Sequence, residues 1–134
     1  METKPQKIMT FLMFEGKAEE AMNYYLSVFD QSEIVSMRKY GAGELGPEGS
    51  VMMATFKLAD QMFMCIDSHV KHGFTFTPAI SLYVTCETET EIDRAHEMLS
   101  KGGGVLMPLG EYPFSKRFSW VRDQFGVTWQ LTLA

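Results

Sequence analysis

The chain has few of the residues that mark a secreted, membrane-spanning or nucleic-acid-binding protein. Its two cysteines exclude a disulfide-rich scaffold, and it contains no run of about 18 apolar residues that could cross a membrane. Seventeen acidic residues against 12 basic ones give a formal net charge of −5. Because binding to a phosphate backbone needs a basic surface, we expect neither a nucleic acid nor a membrane as partner.

The two cysteines, Cys65 and Cys86, lie inside apolar segments. Nothing marks the chain as secreted, and residues 1–5 lack the basic-then-apolar pattern of a secretory signal. Disulfides are rare in a reducing compartment, so we interpret both residues as reduced core thiols. The predicted location is cytoplasmic.

What the sequence does contain is a long internal repeat. Residues 11–29 and 81–99 align without a gap at a spacing of 70, so that Leu12 aligns with Leu82 and Met22 with Ile92. Each copy reads as a short apolar strand, an acidic turn and an amphipathic helix. The repeat predicts two similar modules, and a pair of such modules can form a concave surface for a small ligand.

The same order of elements is predicted in both halves. The first half has a strand over 8–14, a helix ending near Phe29, and strands over 34–40, 51–58 and 62–67. The second has a strand over 80–86, a helix starting at Thr88 with capping-box spacing, and strands over 105–109, 118–123 and 128–133. Gly102, Gly103 and Gly104 are predicted to end that helix.

These elements predict an α+β fold with one domain over residues 1–134. It has tandem βαβββ modules at about 8–67 and 79–133, a linker over 68–78, and mixed sheets curled round a cavity. Along the final strand, Trp129, Leu131 and Leu133 alternate with Thr128, Gln130 and Thr132. We assign the polar set to the cavity.

Two local patterns suggest sites that their context does not support. Residues 41–46 match G-x-G-x-x-G, but Pro47, Glu48, Gly49 and then a strand follow, whereas a nucleotide-binding loop must open a helix. We predict a flexible hairpin loop there.

Asp67, His69 and His72 supply two imidazoles and a carboxylate, but nothing directs both rings at one point, so a solvated loop is predicted. His96 is predicted to be a surface residue.

Several segments match those of one protein superfamily. They are residues 11–16, 18–21, 74–79, 107–109, 112–114, 120–123 and 126–131. The chain resembles the glyoxalase/bleomycin-resistance/dioxygenase superfamily, also called vicinal oxygen chelate proteins, and within it the PhnB-like branch. The resemblance covers nearly all of residues 8–133 and implies paired βαβββ modules. Relatives are often catalogued as a 3-demethylubiquinone 3-methyltransferase domain.

The resemblance also gives positions at which to look for a metal. Catalytic members hold a divalent ion with His, Gln or Glu from the first and last strands of each module. The corresponding positions here are Thr10, Ile80, Met64 and Gln130, where Met64 and Gln130 are taken as repeat mates. They supply one amide oxygen among them, so we predict no metal centre and no cofactor.

The preferred hypothesis is a metal-free small-molecule-binding protein that forms a homodimer, as superfamily members commonly do. The predicted ligand-binding residues are Thr10, Leu12, Met64, Trp120, Thr128 and Gln130. Thr10, Thr128 and Gln130 would orient polar atoms, while Trp120 and Met64 would supply apolar contact. Rim candidates are Tyr112, Phe114 and Arg122, of which Arg122 could pair with an anionic ligand.

Two alternatives stay open at this point. One is a metal-dependent lyase, isomerase or dioxygenase that holds its ion in an unrecognised way, so whether the protein catalyses a reaction is left undecided. The other is a drug-sequestering protein like the bleomycin-resistance relatives.

Overall fold

The computed structural model describes residues 6–134 and divides into two compact units, with the boundary between Lys71 and His72. This boundary falls inside the predicted linker, residues 68–78. Residues 1–5, to which the prediction of no secretory signal refers, lie outside the described residues. Within the described residues no helix is long and apolar enough to span a membrane. That the two units form one domain stays a prediction.

The first unit is a four-stranded sheet with one helix. Its elements are β1 (Thr10–Phe14), α1 (Ala18–Val28), β2 (Glu33–Lys39), β3 (Val51–Leu58) and β4 (Gln61–Asp67). The strand order is β1-β4-β3-β2, with β1 parallel to β4 and the other neighbours antiparallel. Helix α1 packs on β3 and β4.

The second unit repeats this topology. Its elements are β5 (Leu82–Cys86), α2 (Glu89–Ser100), β6 (Gly104–Tyr112), β7 (Ser115–Arg122) and β8 (Thr128–Leu133). The strand order is β5-β8-β7-β6, again with the first strand parallel to the last. The predicted α+β class and the tandem βαβββ modules are therefore confirmed.

The buried stripes of the two helices follow the predicted spacing. Met22 and Tyr25 of α1 are fully buried, as are Ile92 and Leu99 of α2. Met22 and Ile92 stand 70 residues apart, as the alignment requires. The helix starts differ, however. Thr88 caps α2 by accepting a hydrogen bond from the Glu91 N–H at 3.1 Å, as predicted.

The start of α1 has no such local cap. Lys17 makes no capping hydrogen bond, and the Ala18 N–H donates instead to Asp67 Oδ1 at 2.9 Å. The other carboxylate oxygen of Asp67 accepts from the Val51 N–H, also at 2.9 Å. This buried carboxylate thus joins the end of β4 to the start of the helix and to the start of β3.

Each sheet has one face under its helix, the helix face, and an opposite face, the open face. In the first sheet the paired residues Leu12, Cys65 and Ala54 are all buried on the helix face. In the second, Trp129 and Leu131 are buried while Gln130 between them is only half-buried. The predicted division of the final strand into an apolar and a polar set is therefore observed.

The β6–β7 hairpin is longer than predicted. The predicted strand ends at residue 109, but β6 continues to Tyr112. Pro108 lies within β6, an edge strand that tolerates a missing N–H. An aromatic cluster extends the hairpin, because the Phe118 ring meets the edges of Tyr112 and Phe114 at 5.7 and 4.9 Å between centroids.

Both thiols are expected to be unreactive in the folded protein. Cys65 and Cys86 are free and fully buried, and burial raises the pKa of each to about 12, with smaller contributions from Asp67 and Glu91. The thiolate is the reacting form, so a disulfide reagent at about pH 8 should label neither residue. The same protein unfolded in guanidinium should react at both. Labelling of the folded chain at the unfolded rate would contradict this prediction.

Candidate functional site

The open face of the second sheet places two predicted site residues side by side. The pairing register sets Tyr83, Gln130, Trp120 and Met107 in one row across β5, β8, β7 and β6. Neighbouring strands lie about 4.8 Å apart, so these side chains form a continuous surface. We call this row the Gln130 row.

The indole of Trp120 is held in place by a chain of hydrogen bonds. Its Nε1–H donates to Ser81 Oγ at 3.1 Å, and Ser81 Oγ lies 2.7 Å from Thr128 Oγ1. The Thr128 hydroxyl in turn donates to the Ile80 carbonyl at 2.8 Å. The Thr128 hydroxyl proton is used in this last bond. The Ser81 hydroxyl must therefore donate to Thr128 Oγ1 and accept from the Trp120 indole N–H. The indole therefore reaches across β8, since Trp120 lies on β7 and Ser81 lies just before β5.

This chain of bonds removes Thr128 from the surface. The residue is 2% exposed, and its hydroxyl both donates and accepts within the protein. Thr128 is predicted to orient polar atoms of a ligand, but its hydroxyl is buried and already bonded within the protein. We assign Thr128 to the support of Trp120 instead.

The side-chain amide of Gln130, unlike the hydroxyl of Thr128, is available to a ligand. Its side chain is half-buried, and the structure gives its amide no hydrogen-bond partner among residues 6–134. A carboxamide offers two donors and one acceptor. Gln130 can therefore present both kinds of polar atom to a molecule lying beside the Trp120 ring.

The open face of the first sheet is mostly apolar and rich in methionine. One row across its strands contains Phe11, Met64, Thr55 and Ser36. The next contains Met13, Ile66, Met53 and Arg38. Methionine adapts its shape to what it contacts, so this face offers a deformable apolar surface. Met64 is half-buried within it, as a residue supplying apolar contact should be.

Thr10 and Leu12 do not share that face with Met64. The register pairs Thr10 with Phe63 and Leu12 with Cys65, both on the helix face, and Leu12 is 7% exposed. Alternate residues of a strand point to opposite sides of the sheet. The structure thus places Leu12 in the core under α1 and does not bring Thr10 or Leu12 together with Met64.

The register bears on the predicted match between Met64 and Gln130. Met64 pairs with Phe11 and Gln130 with Tyr83, and these partners are each the second residue of the first strand of their unit. Counted from the strand starts, Met64 and Gln130 therefore occupy matching places, at a spacing of 66. The first strands stand 72 residues apart, whereas Met22 and Ile92 of the helices stand 70 apart.

The donors for the superfamily metal do not come together in this chain. Of Thr10, Ile80, Met64 and Gln130, only the last supplies a ligand of the superfamily type, one amide oxygen. Residues 6–134 contain no group of three His, Cys, Asp or Glu side chains able to hold a metal ion. Divalent first-row ions prefer imidazole and carboxylate, so these residues do not fit the ion.

The linker residues do not form a metal site either. Asp67 is buried rather than solvated, which corrects the prediction of a solvated loop at that residue, and its carboxylate bonds the Ala18 and Val51 amides. The His69 ring meets the edge of Tyr40 at 6.2 Å, while His72 stacks on Phe74 at 4.8 Å. Each imidazole has its own aromatic neighbour.

His96 is the residue whose environment the sequence analysis missed. It is half-buried, and its Nδ1 lies 2.9 Å from Oγ of the fully buried Ser119. Burial lowers the pKa of His96, and the neighbouring carboxylate of Asp93 partly opposes this effect. The sequence carries a signal for this burial. His96 lies one turn after the buried Ile92, and residues four apart share a helix face. His96 lies between α2 and β7 and takes no part in the open face.

Comparison with known proteins places the chain in a family. The family model for 3-demethylubiquinone-9 3-methyltransferase matches residues 6–132. A PhnB protein from Bacillus cereus, named for the same activity, is 67% identical and has a TM-score of 0.94, covering 96% of this chain and 100% of that one. The chain belongs to this PhnB-like family. No curated protein matches it.

More distant structures show the same fold. Protein PA1353 from Pseudomonas aeruginosa is 24% identical with a TM-score of 0.81, and covers 96% of this chain and 98% of that one. A glyoxylase/bleomycin resistance protein/dioxygenase domain from Frankia sp. EAN1pec is 15% identical with a TM-score of 0.68, covering 98% and 93%. The PhnB-like chain thus shares its fold with that glyoxylase/bleomycin resistance protein/dioxygenase domain.

The family name implies a methyl donor, and the glycine-rich segment does not fit one. Residues 41–50 connect β2 to β3 through turns, closed by the Tyr40 N–H donating to the Ser50 carbonyl at 2.9 Å. No helix follows the glycines, so the phosphate- or cofactor-binding helix end that such a motif needs is missing here. The predicted hairpin loop is confirmed.

Proposed function

We propose that this PhnB-like protein binds a small organic molecule without a metal ion. The observation that carries the proposal is the Gln130 row, in which an unbonded carboxamide adjoins an indole whose orientation is fixed by Ser81 and Thr128. Binding sites typically combine apolar surface with a few well-placed polar groups. Met64, on the open face of the first unit, is proposed separately as a residue for apolar contact with a ligand.

The donor chemistry favours a binding protein over the metal-dependent lyase, isomerase or dioxygenase. A metal-dependent enzyme would need several imidazole or carboxylate ligands, whereas the corresponding positions offer a single amide oxygen. A drug-sequestering role is the second candidate, since the ordered Trp120 ring suits an aromatic ligand. We propose a homodimer, as the superfamily resemblance implies, and a cytoplasmic location, which the two free buried thiols support.

The proposal predicts that ligand-induced stabilisation depends on Gln130. In a thermal-shift screen against a library of metabolites and antibiotics, a bound compound at 100 times its Kd should stabilise the wild type by about 2.7 kcal/mol. Gln130→Leu should weaken binding of that compound roughly tenfold, because a hydrogen-bonded ligand group loses its partner. Gln61→Leu, at an exposed position of β4, is the matched control and should bind normally.

Two results would oppose this function. The first is that no compound in the library stabilises the wild-type protein. The second is that Gln130→Leu and Gln61→Leu retain the full shift alike, which would remove Gln130 from the site.

A further inference from the structure

The paired positions of the second open face carry a single charge, and it is positive although the whole chain is acidic. The chain carries a net charge of −5, yet the paired positions of this face include one charged residue, Arg122, and no carboxylate. The other paired side chains there are aromatic, apolar, hydroxyl or amide groups. Acidic residues of α2 such as Glu89 and Asp93 lie on the helix side of the sheet.

Within the described part of the chain, Arg122 has no carboxylate partner. It is exposed, and the structure assigns it no ion pair among residues 6–134, whereas Arg117 on the same strand holds Asp93 at 2.7 Å. The Arg122 guanidinium lies over Gly104 of β6, where a Cβ would come within 3.5 Å of its Nη2. It is therefore positioned along the sheet surface and is open to a negatively charged group.

The guanidinium is near enough to the Gln130 row to meet the same molecule. Arg122 and Trp120 are two residues apart on β7 and so lie on one face at a separation of about 6.7 Å. Arg122 pairs with Thr128, whose hydroxyl helps to hold the Trp120 indole through Ser81. An aromatic ring, an amide and a cation thus follow one another within the length of a small molecule.

On the first open face an arginine again lies beside apolar side chains. Arg38 lies in one row with Met53, Ile66 and Met13, so that a guanidinium again borders apolar side chains. Residues 6–134 provide no ion pair for Arg38. Glu33, an acidic residue at a paired position of that face, lies at the other end of β2 and pairs there with Lys57 at 3.7 Å.

We infer that the ligand is an organic anion whose flat apolar body lies on Trp120 and whose charged group meets Arg122. This inference rests on the proposed function and adds the ligand class to it. Guanidinium groups bind carboxylates and similar oxyanions through two parallel hydrogen bonds, and the Trp120 ring offers a flat surface for stacking. Ser81 is a positioning residue in this site, because it acts on the ligand only through the indole.

Two matched probes test the inference. One is 8-anilinonaphthalene-1-sulfonate, an aromatic anion, and the other is N-phenyl-1-naphthylamine, which has the same aromatic body without the sulfonate. We expect Arg122→Gln to weaken binding of the sulfonate about tenfold and to leave binding of the neutral amine unchanged. Arg122→Lys should retain part of the affinity, and raising the salt concentration should weaken the sulfonate alone.

The control is Lys101→Gln, which removes one positive charge at the end of α2. It should bind both probes as the wild type does. Equal binding of the two probes, with no effect of Arg122→Gln, would overturn the inference and leave the proposed function standing. An equal loss in Lys101→Gln and Arg122→Gln would also overturn it, since only overall charge would then matter. Failure of both probes to bind the folded protein would count against the proposed function itself.

Discussion

Replacing Asp123 with alanine is expected to lower the free energy of unfolding by about 4 kcal/mol. The carboxylate is 2% exposed and accepts three hydrogen bonds. Its Oδ1 takes the N–H groups of Phe125 and Val127 at 2.8 and 3.0 Å, and its Oδ2 takes Trp129 Nε1–H at 2.9 Å. Alanine would remove this acceptor from all three donors and would weaken the turn between β7 and β8.

Chemical denaturation followed by circular dichroism measures this effect. Asp93→Ala is the matched control, because Asp93 is an exposed aspartate of the same unit and its single ion pair with Arg117 should contribute less than about 1 kcal/mol. If the two variants unfold at the same denaturant concentration, the role assigned to Asp123 is wrong.

The second large effect is expected at Gly103, where alanine should destabilise the protein by about 3 kcal/mol or more. A Cβ at this position would lie 1.9 Å from the Arg122 carbonyl oxygen and 2.7 Å from the Asp123 carbonyl carbon. Both are main-chain atoms at the end of β7, so they cannot rotate away as a flexible side chain can. The segment after α2 would have to move away from β7.

The neighbouring glycine provides the comparison for Gly103. At Gly104 a Cβ would make an ordinary contact of 3.5 Å with the Arg122 side chain, so Gly104→Ala should change the unfolding free energy far less. Thermal and urea denaturation of the two variants should therefore separate them clearly. Similar stabilities would show that the backbone adjusts at low cost.

Among the three consecutive glycines, only Gly102 has a positive φ, at 76°, so the predicted left-handed turn applies to that residue alone.

The repeat and the strand order were predictable because they depend on local periodicity. Helical spacing identified the buried stripe that includes Met22 and Ile92, and strict alternation identified the two sets of residues along β8. The capping box at Thr88 was visible for the same reason, since its partner lies three residues away. These signals are carried by residues close together in the chain.

The faces of β1 and β4 were harder to predict. Leu12 and Met64 are both apolar, and composition alone does not say which one lies under a helix. A shift of one residue moves every side chain to the opposite face. The observed register places Leu12 on the buried helix face and Met64 on the open face.

The support of the candidate site was not predictable because it joins distant residues. Ser81 and Thr128 are 47 positions apart, and Trp120 and Ser81 are 39 apart. Hydroxyl residues are common on polar strand faces, so nothing in the sequence distinguishes Thr128, which is bonded internally, from Gln130, which is not. The bond between His96 and Ser119 escaped prediction for the same reason, since it spans 23 positions.

The shared strand order has an evolutionary consequence. Sheet pairing depends on main-chain hydrogen bonds, so side chains on an uncovered face can be exchanged while the scaffold is kept. After a duplication, one copy could accumulate methionine while its sister acquired tryptophan, glutamine and threonine, without either losing its architecture. Met64 and Gln130, which occupy the same place in the two copies, show how far such drift has gone.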